Sequence, residues 1–156
     1  MKKTADSSNT WKNILTDAQN LRTGTVAASL VMALATALPY LVLDPNLGRY
    51  TGVKSVSLLY VAGKPGDGFV FIFLAVLLAV FTLLKKNIPV LACTAASLLW
   101  YIHELVRFSR VNGQMLGKTA DLGDFVSKGS GFYFLSLAVI ALLVLCGLSL
   151  YRDIKK

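Results

Sequence analysis

The chain has 156 residues, a formal net charge of +8, a hydrophobic fraction of 55% and only 15% charged residues. That is enough chain for one compact domain, but a mean hydropathy of +0.62 is too apolar for an ordinary soluble one. The positive residues are scattered through both tails and every connection instead of forming one stripe. This argues against nucleic acid and for anionic lipid headgroups as the charged partner.

Residues 1–23 are polar, with Trp11, Ile14, Leu15, Ala18 and Leu21 recurring on one helical face behind a candidate cap at Thr10. A short amphipathic helix of this kind suits the membrane boundary, so the segment reads as a cytoplasmic tail with an interfacial helix. The first apolar block, 24–43, is alanine-rich. Its Ser29, Ala33 and Ala37 form a small-xxx-small row for close helix packing. Ala35-Thr36-Ala37 has the form of a signal-peptidase site, but the 23 residues ahead of the block favour an uncleaved span. Pro39 is expected in its last turns, where neighbouring helices can satisfy the freed carbonyl.

A first outer loop, 44–67, opens on the turn residues Asp44-Pro45-Asn46. It holds a β-branched run from Val53 to Val61 that reads as a strand. That strand needs a partner, either near Arg49–Thr51 or in the later loop. Asp67 stands where it can cap the next helix. The second span is 68–84, and the tight Lys85-Lys86-Asn87 turn makes it an antiparallel neighbour of the third, 88–106. Pro89 lies in the first turn of the third span, where proline is tolerated. A second outer loop, 107–131, ends in Gly129-Ser130-Gly131. The fourth span, 132–151, runs 20 residues without a charged side chain, roughly 30 Å as a helix. A short tail, 152–156, follows.

With four spans, both tails and the Lys85-Lys86 turn share a side, which carries nine positives against seven opposite. The positive-inside rule then puts both termini in the cytoplasm of a multi-pass plasma (inner) membrane protein. The expected fold is an all-α membrane protein: a four-transmembrane-helix antiparallel bundle with a small extracytoplasmic β element in the first loop.

The midplane of every block is free of charge, unlike that of most ion-coupled transporters. The concentrated polar group is His103, Glu104 and Arg107 with Trp100, at offsets that place them on neighbouring helical positions. As a structural feature it is a salt-bridged anchor with an aromatic belt; as a functional one, a pocket under the outer loops with His103 as the contacting group. Cys93 and Cys146 sit inside apolar blocks and read as packing residues. A single histidine gives no metal site, and no cofactor motif is present.

The layout resembles uncharacterised small bacterial four-transmembrane-helix membrane proteins. Gly66-Asp67-Gly68 before the second span, the basic Lys85-Lys86 turn and Gly129-Ser130-Gly131-Phe132-Tyr133 at the fourth carry the resemblance, from Gly24 to Tyr151. It is also similar to the claudin-type layout, without the first-loop Trp and Cys pair of true claudins. The resemblance carries over no catalytic residue. The expected function is a non-enzymatic membrane protein acting by protein contact, as an accessory or assembly subunit or an immunity-type protein. Its partner would be another membrane or extracytoplasmic protein, with a homo-oligomer left open. The alternative is a small-molecule- or lipid-binding membrane protein, such as a channel or transporter subunit, with its pocket near His103.

Overall fold

The computed structural model describes residues 17–43, 55–61, 64–114 and 126–154. Most of the sequence-predicted interfacial helix, including Thr10, Trp11, Ile14 and Leu15, lies outside these residues, as does the strand partner near Arg49–Thr51. The described chain is mostly helical: α1 (Ala18–Ala37), α2 (Gly68–Leu83), α3 (Asn87–Gln114) and α4 (Ser130–Ile154). Five short strands complete it: β1 (Pro39–Leu43), β2 (Ser55–Ser57), β3 (Tyr60–Val61), β4 (Lys64–Pro65) and β5 (Val126–Lys128).

α1 packs against α2 and α4, and α3 against the same two helices, closing a four-membered ring. Every neighbouring pair is antiparallel. Leu59 N–H donates to Thr36 O at the end of α1, beside Gly68 at the start of α2. Asn87 at the start of α3 donates to Asp153 at the end of α4, over 2.6 Å. One end of the bundle therefore gathers Asp17, the Lys85-Lys86 turn and Arg152; the other carries the strands.

The first apolar block is not one continuous helix. Pro39 has no N–H to donate back, and it pushes the residue before it out of the helical region. Leu38 accordingly sits at φ −74°, ψ 158°, α1 stops at Ala37, and Pro39 begins a strand instead of riding in the last turn. The strand is central, in the order β2-β1-β5 and antiparallel on both sides. Its registers run Leu41↔Val56 and Val42↔Ser55 on one side, Leu41↔Lys128 and Val42↔Ser127 on the other. The β element thus draws on the first apolar block and both outer loops, not the first loop alone. The predicted Val53–Val61 strand is broken into β2 and β3, β3 pairing with β4 as a separate two-stranded piece.

The third helix also outruns its predicted end, reaching Gln114 where a loop was expected from Arg107. No proline follows Pro89 in it, and arginine, as at Arg107 and Arg110, is a good helix former. Two helical stretches are long and apolar enough to cross a membrane, Asn87–Arg107 and Ser130–Ile154. Gly68–Leu83 is apolar but shorter.

The core is built from Met32, Phe71, Leu78, Leu135 and Leu142, all essentially inaccessible, with small residues such as Ala35 and Ala138 between them. Interior hydroxyls are satisfied by their own helices: Thr25 donates to Leu21 O, Thr82 to Leu78 O and Ser97 to Cys93 O, at 2.6–2.9 Å. In the predicted small-residue row, Ser29 is buried, Ala33 partly so and Ala37 exposed. The buried face of α1 instead follows Leu21, Thr25, Ala28, Met32 and Ala35, a stripe of alternating three- and four-residue steps.

A close backbone approach lies where α4 begins. Gly129 N–H donates to Tyr40 O over 2.8 Å. A methyl group on Gly131 would stand 2.8 Å from the carbonyl oxygens of both Ala35 and Leu38. The Gly-Ser-Gly stretch is therefore a packing device: only a residue without Cβ lets α4 start against the end of α1.

Candidate functional site

At the strand end, α3 delivers the polar residues singled out from the sequence, but on two faces. Glu104 points inward, its side chain 7% exposed, while His103 points outward at 58%. His103 Nδ1 and Arg107 Nη1 each lie 3.8 Å from Glu104 Oε1, close enough for ion pairing but beyond hydrogen-bond reach. His103 also lies near Trp100, with ring centroids 5.2 Å apart. The offsets place the four residues near one another, yet the helix turns the histidine away from the interior side that holds the carboxylate.

The structure adds partners that the sequence did not suggest. Asp67, at the start of α2, forms an ion pair with Arg107. Asp67 occupies the expected cap position, but its side chain makes no capping hydrogen bond. Arg107 therefore ties α2 to α3 and lies between two carboxylates. Deeper in, Tyr101 and Ser136 place their oxygens 2.5 Å apart. Ser136 Oγ already donates to Phe132 O over 2.7 Å, so its one proton is used and the Tyr101 hydroxyl is the donor between them.

Three buried polar atoms in this region have no hydrogen-bond partner among the described residues: Tyr40 Oη, Trp100 Nε1 and Glu104 Oε1. Burial above all, then Tyr101 and Glu104, pushes the Tyr40 phenol well above its usual value of 10.0, so it is a neutral donor at any physiological pH. Two unused donors and a carboxylate oxygen make a polar set suited to a water or a small polar group. Tyr40 was not visible as a member of this set, because it belongs to a stretch that reads as transmembrane helix. No group of three metal-ligating side chains occurs among the described residues.

Two cavities lie at the opposite end, among the described residues. A narrow one of about 30 Å³ lies among the four helix ends, lined by Arg22, Thr25, Thr82, Asn87, Ser149 and Arg152 among others. An open groove of about 840 Å³ runs along α1 and the end of α2, past Arg22, Val26, Leu30, Leu83 and Lys85. Arg22 and Thr82 border both.

Comparison with known proteins returns no matching family, no matching curated protein and no matching solved structure. The functional reading therefore rests on the chain's own geometry.

Proposed function

We propose that the chain is a four-span integral membrane protein of the plasma membrane, both termini cytoplasmic, that acts without catalysis by contacting another protein through its strand-capped end. The observation that carries the membrane reading is the inverted surface of the bundle. Large apolar side chains face outward on all four helices: Leu30 and Leu34 on α1, Phe73 and Leu83 on α2, Ile88 and Leu99 on α3, Leu137 and Ile140 on α4, each 58–83% exposed. Ser29, Thr36, Thr94 and Ser97 are inside. Water would penalise that arrangement, whereas hydrocarbon accommodates it. α2 and α1 fit the same bilayer as the two longer helices: roughly 24 Å and 30 Å respectively at 1.5 Å per residue.

The contact reading is supported by the cap. Among the described residues, the outer edges of β2 and β5 are unpaired, and such edges accept a further strand. A second reading, a small polar ligand held at the same end, is favoured by the orphan atoms of Tyr40, Trp100 and Glu104.

Cysteine accessibility tests the insertion. Leu34→Cys and Val80→Cys should resist a water-soluble maleimide in intact membranes, whereas Lys86→Cys should react only once the cytoplasmic face is opened. Ready labelling of Leu34→Cys in sealed membranes rules the four-span bundle out. Co-isolation with a membrane or secreted partner, unaffected by His103→Ala, is the expected result for contact. Loss of activity in folded His103→Ala or Glu104→Gln protein favours the ligand reading instead.

A further inference from the structure

The groove at the basic end combines two features that a single class of molecule matches. On α1, Arg22, Val26 and Leu30 follow one another at four-residue intervals. The row passes from a guanidinium to hydrocarbon over roughly 12 Å along the axis. Across from it, α2 contributes Leu83 and the turn contributes Lys85. Both cations are available for a ligand: among the described residues, neither Arg22 nor Lys85 has a hydrogen bond or ion pair through its side chain. One acidic group, Asp17, also lines the groove; it caps α1 by accepting from Gln19 N–H at 3.3 Å and keeps its negative charge.

The backbone at Lys85 adds a second, independent reason. α2 ends with Lys86 N–H bonded to Phe81 O at 3.0 Å and Lys85 N–H to Thr82 O at 3.2 Å, the double closure that normally uses glycine at its left-handed position. Here that position is lysine, with φ 59°. Glycine would be more stable at this position, and the side chain that stands there is a cation at the lip of an apolar groove.

We propose that this groove binds an anionic glycerophospholipid, its phosphate between Arg22 and Lys85 and an acyl chain along Val26, Leu30 and Leu83. The open shape suits a ligand that enters sideways from the bilayer, and the charge order matches a headgroup at the membrane surface with hydrocarbon deeper in. The inference rests on the bilayer-embedded bundle proposed above.

The test uses full-length protein in nanodiscs of phosphatidylcholine with or without phosphatidylglycerol, read by retained lipid in native mass spectra and by thermal melting. Phosphatidylglycerol should be retained preferentially and should raise the melting temperature. Arg22→Gln and Lys85→Asn should each weaken retention about fivefold, the ~1 kcal/mol that one basic side chain contributes beside an anionic headgroup. Asparagine is chosen because it tolerates the left-handed backbone, so a misfolded turn does not obscure the result. Lys86→Gln, which removes the same charge one residue outside the groove lining, should leave retention unchanged. Equal losses in all three variants mean diffuse surface attraction and overturn the site. Equal stabilisation by glycerol phosphate reduces it to a phosphate subsite and overturns the acyl-chain assignment. A second copy of the chain in place of lipid in the spectra also overturns it. Protein that inserts correctly yet shows no phosphatidylglycerol preference rejects the lipid site while leaving the membrane reading intact.

Discussion

Substituting alanine for Gly131 and for Gly147 in the same helix should move stability in opposite directions. At Gly131 the new methyl meets the carbonyl oxygens of Ala35 and Leu38 at 2.8 Å and that of Pro39 at 3.1 Å. These are main-chain atoms, unable to rotate aside, so α4 must back away from the end of α1 and loosen the Gly129–Tyr40 hydrogen bond. Overpacking of this kind costs about 1–3 kcal/mol. At Gly147 nothing lies within 4 Å of the added carbon, and alanine gains up to ~1 kcal/mol of helix propensity. The two variants should therefore differ by about 2–4 kcal/mol, the sum of an overpacking cost and a propensity gain. Thermal melts in dodecylmaltoside followed by far-UV circular dichroism would read this as a separation of several degrees, at about 2–4 °C per kcal/mol for a chain of this size. Gly131→Ala melting at or above Gly147→Ala would refute the close approach of α4 to α1.

Lys85→Gly should stabilise the fold by about 1 kcal/mol, the penalty of a left-handed non-glycine residue, in the same melts performed without anionic lipid. Tyr101→Phe should cost about 0.5–1.5 kcal/mol, one hydrogen bond, since Ser136 keeps its bond to Phe132 O. Tyr40→Phe should be neutral or stabilising by about 1 kcal/mol, because it removes a buried hydroxyl without a partner. A clear loss of stability there would mean that the hydroxyl holds a bound group. The phenol of Tyr40 is raised on folding, so its contribution is fully present below its unfolded value of 10.0 and is lost as pH climbs beyond it. Alkaline destabilisation should therefore be weaker in Tyr40→Phe than in the parent, as measured by melts across pH 9 to 11.

The helices were legible because their pattern is coarse: long apolar runs separated by Asp44-Pro45-Asn46, Lys85-Lys86-Asn87 and Gly129-Ser130-Gly131. The second span matches α2 to within one residue, since Gly68 and the lysine turn bracket it. The end of the first was misread because hydropathy does not distinguish helix from strand, and Tyr40-Leu41-Val42-Leu43 is as greasy as the alanines before it. Pro39 carried the needed information, as a residue that fits the start of a strand better than the end of a helix. The third helix was cut short for the converse reason: polarity at Arg107 and Arg110 looked like a loop, although arginine is a good helix former and polarity alone does not end a helix. In the polar cluster, the i, i+3 and i, i+4 spacing placed Glu104 near His103 and Arg107. Which of them faced inward depended on where α2 and α4 packed, and Asp67, forty residues away, had no local signal at all.

The three-stranded cap is stitched from segments 39–43, 55–57 and 126–128, so its middle strand waits for the last of them to be synthesised. A ribosome delivers β1 and β2 early, but β5 arrives only after α2 and α3, and α4 follows immediately behind it. The Leu41–Lys128 rung can therefore form only after the chain has been made through β5. A chain interrupted before residue 126 would leave the β5-facing side of β1 unpaired, turning the central strand of the sheet into an edge strand.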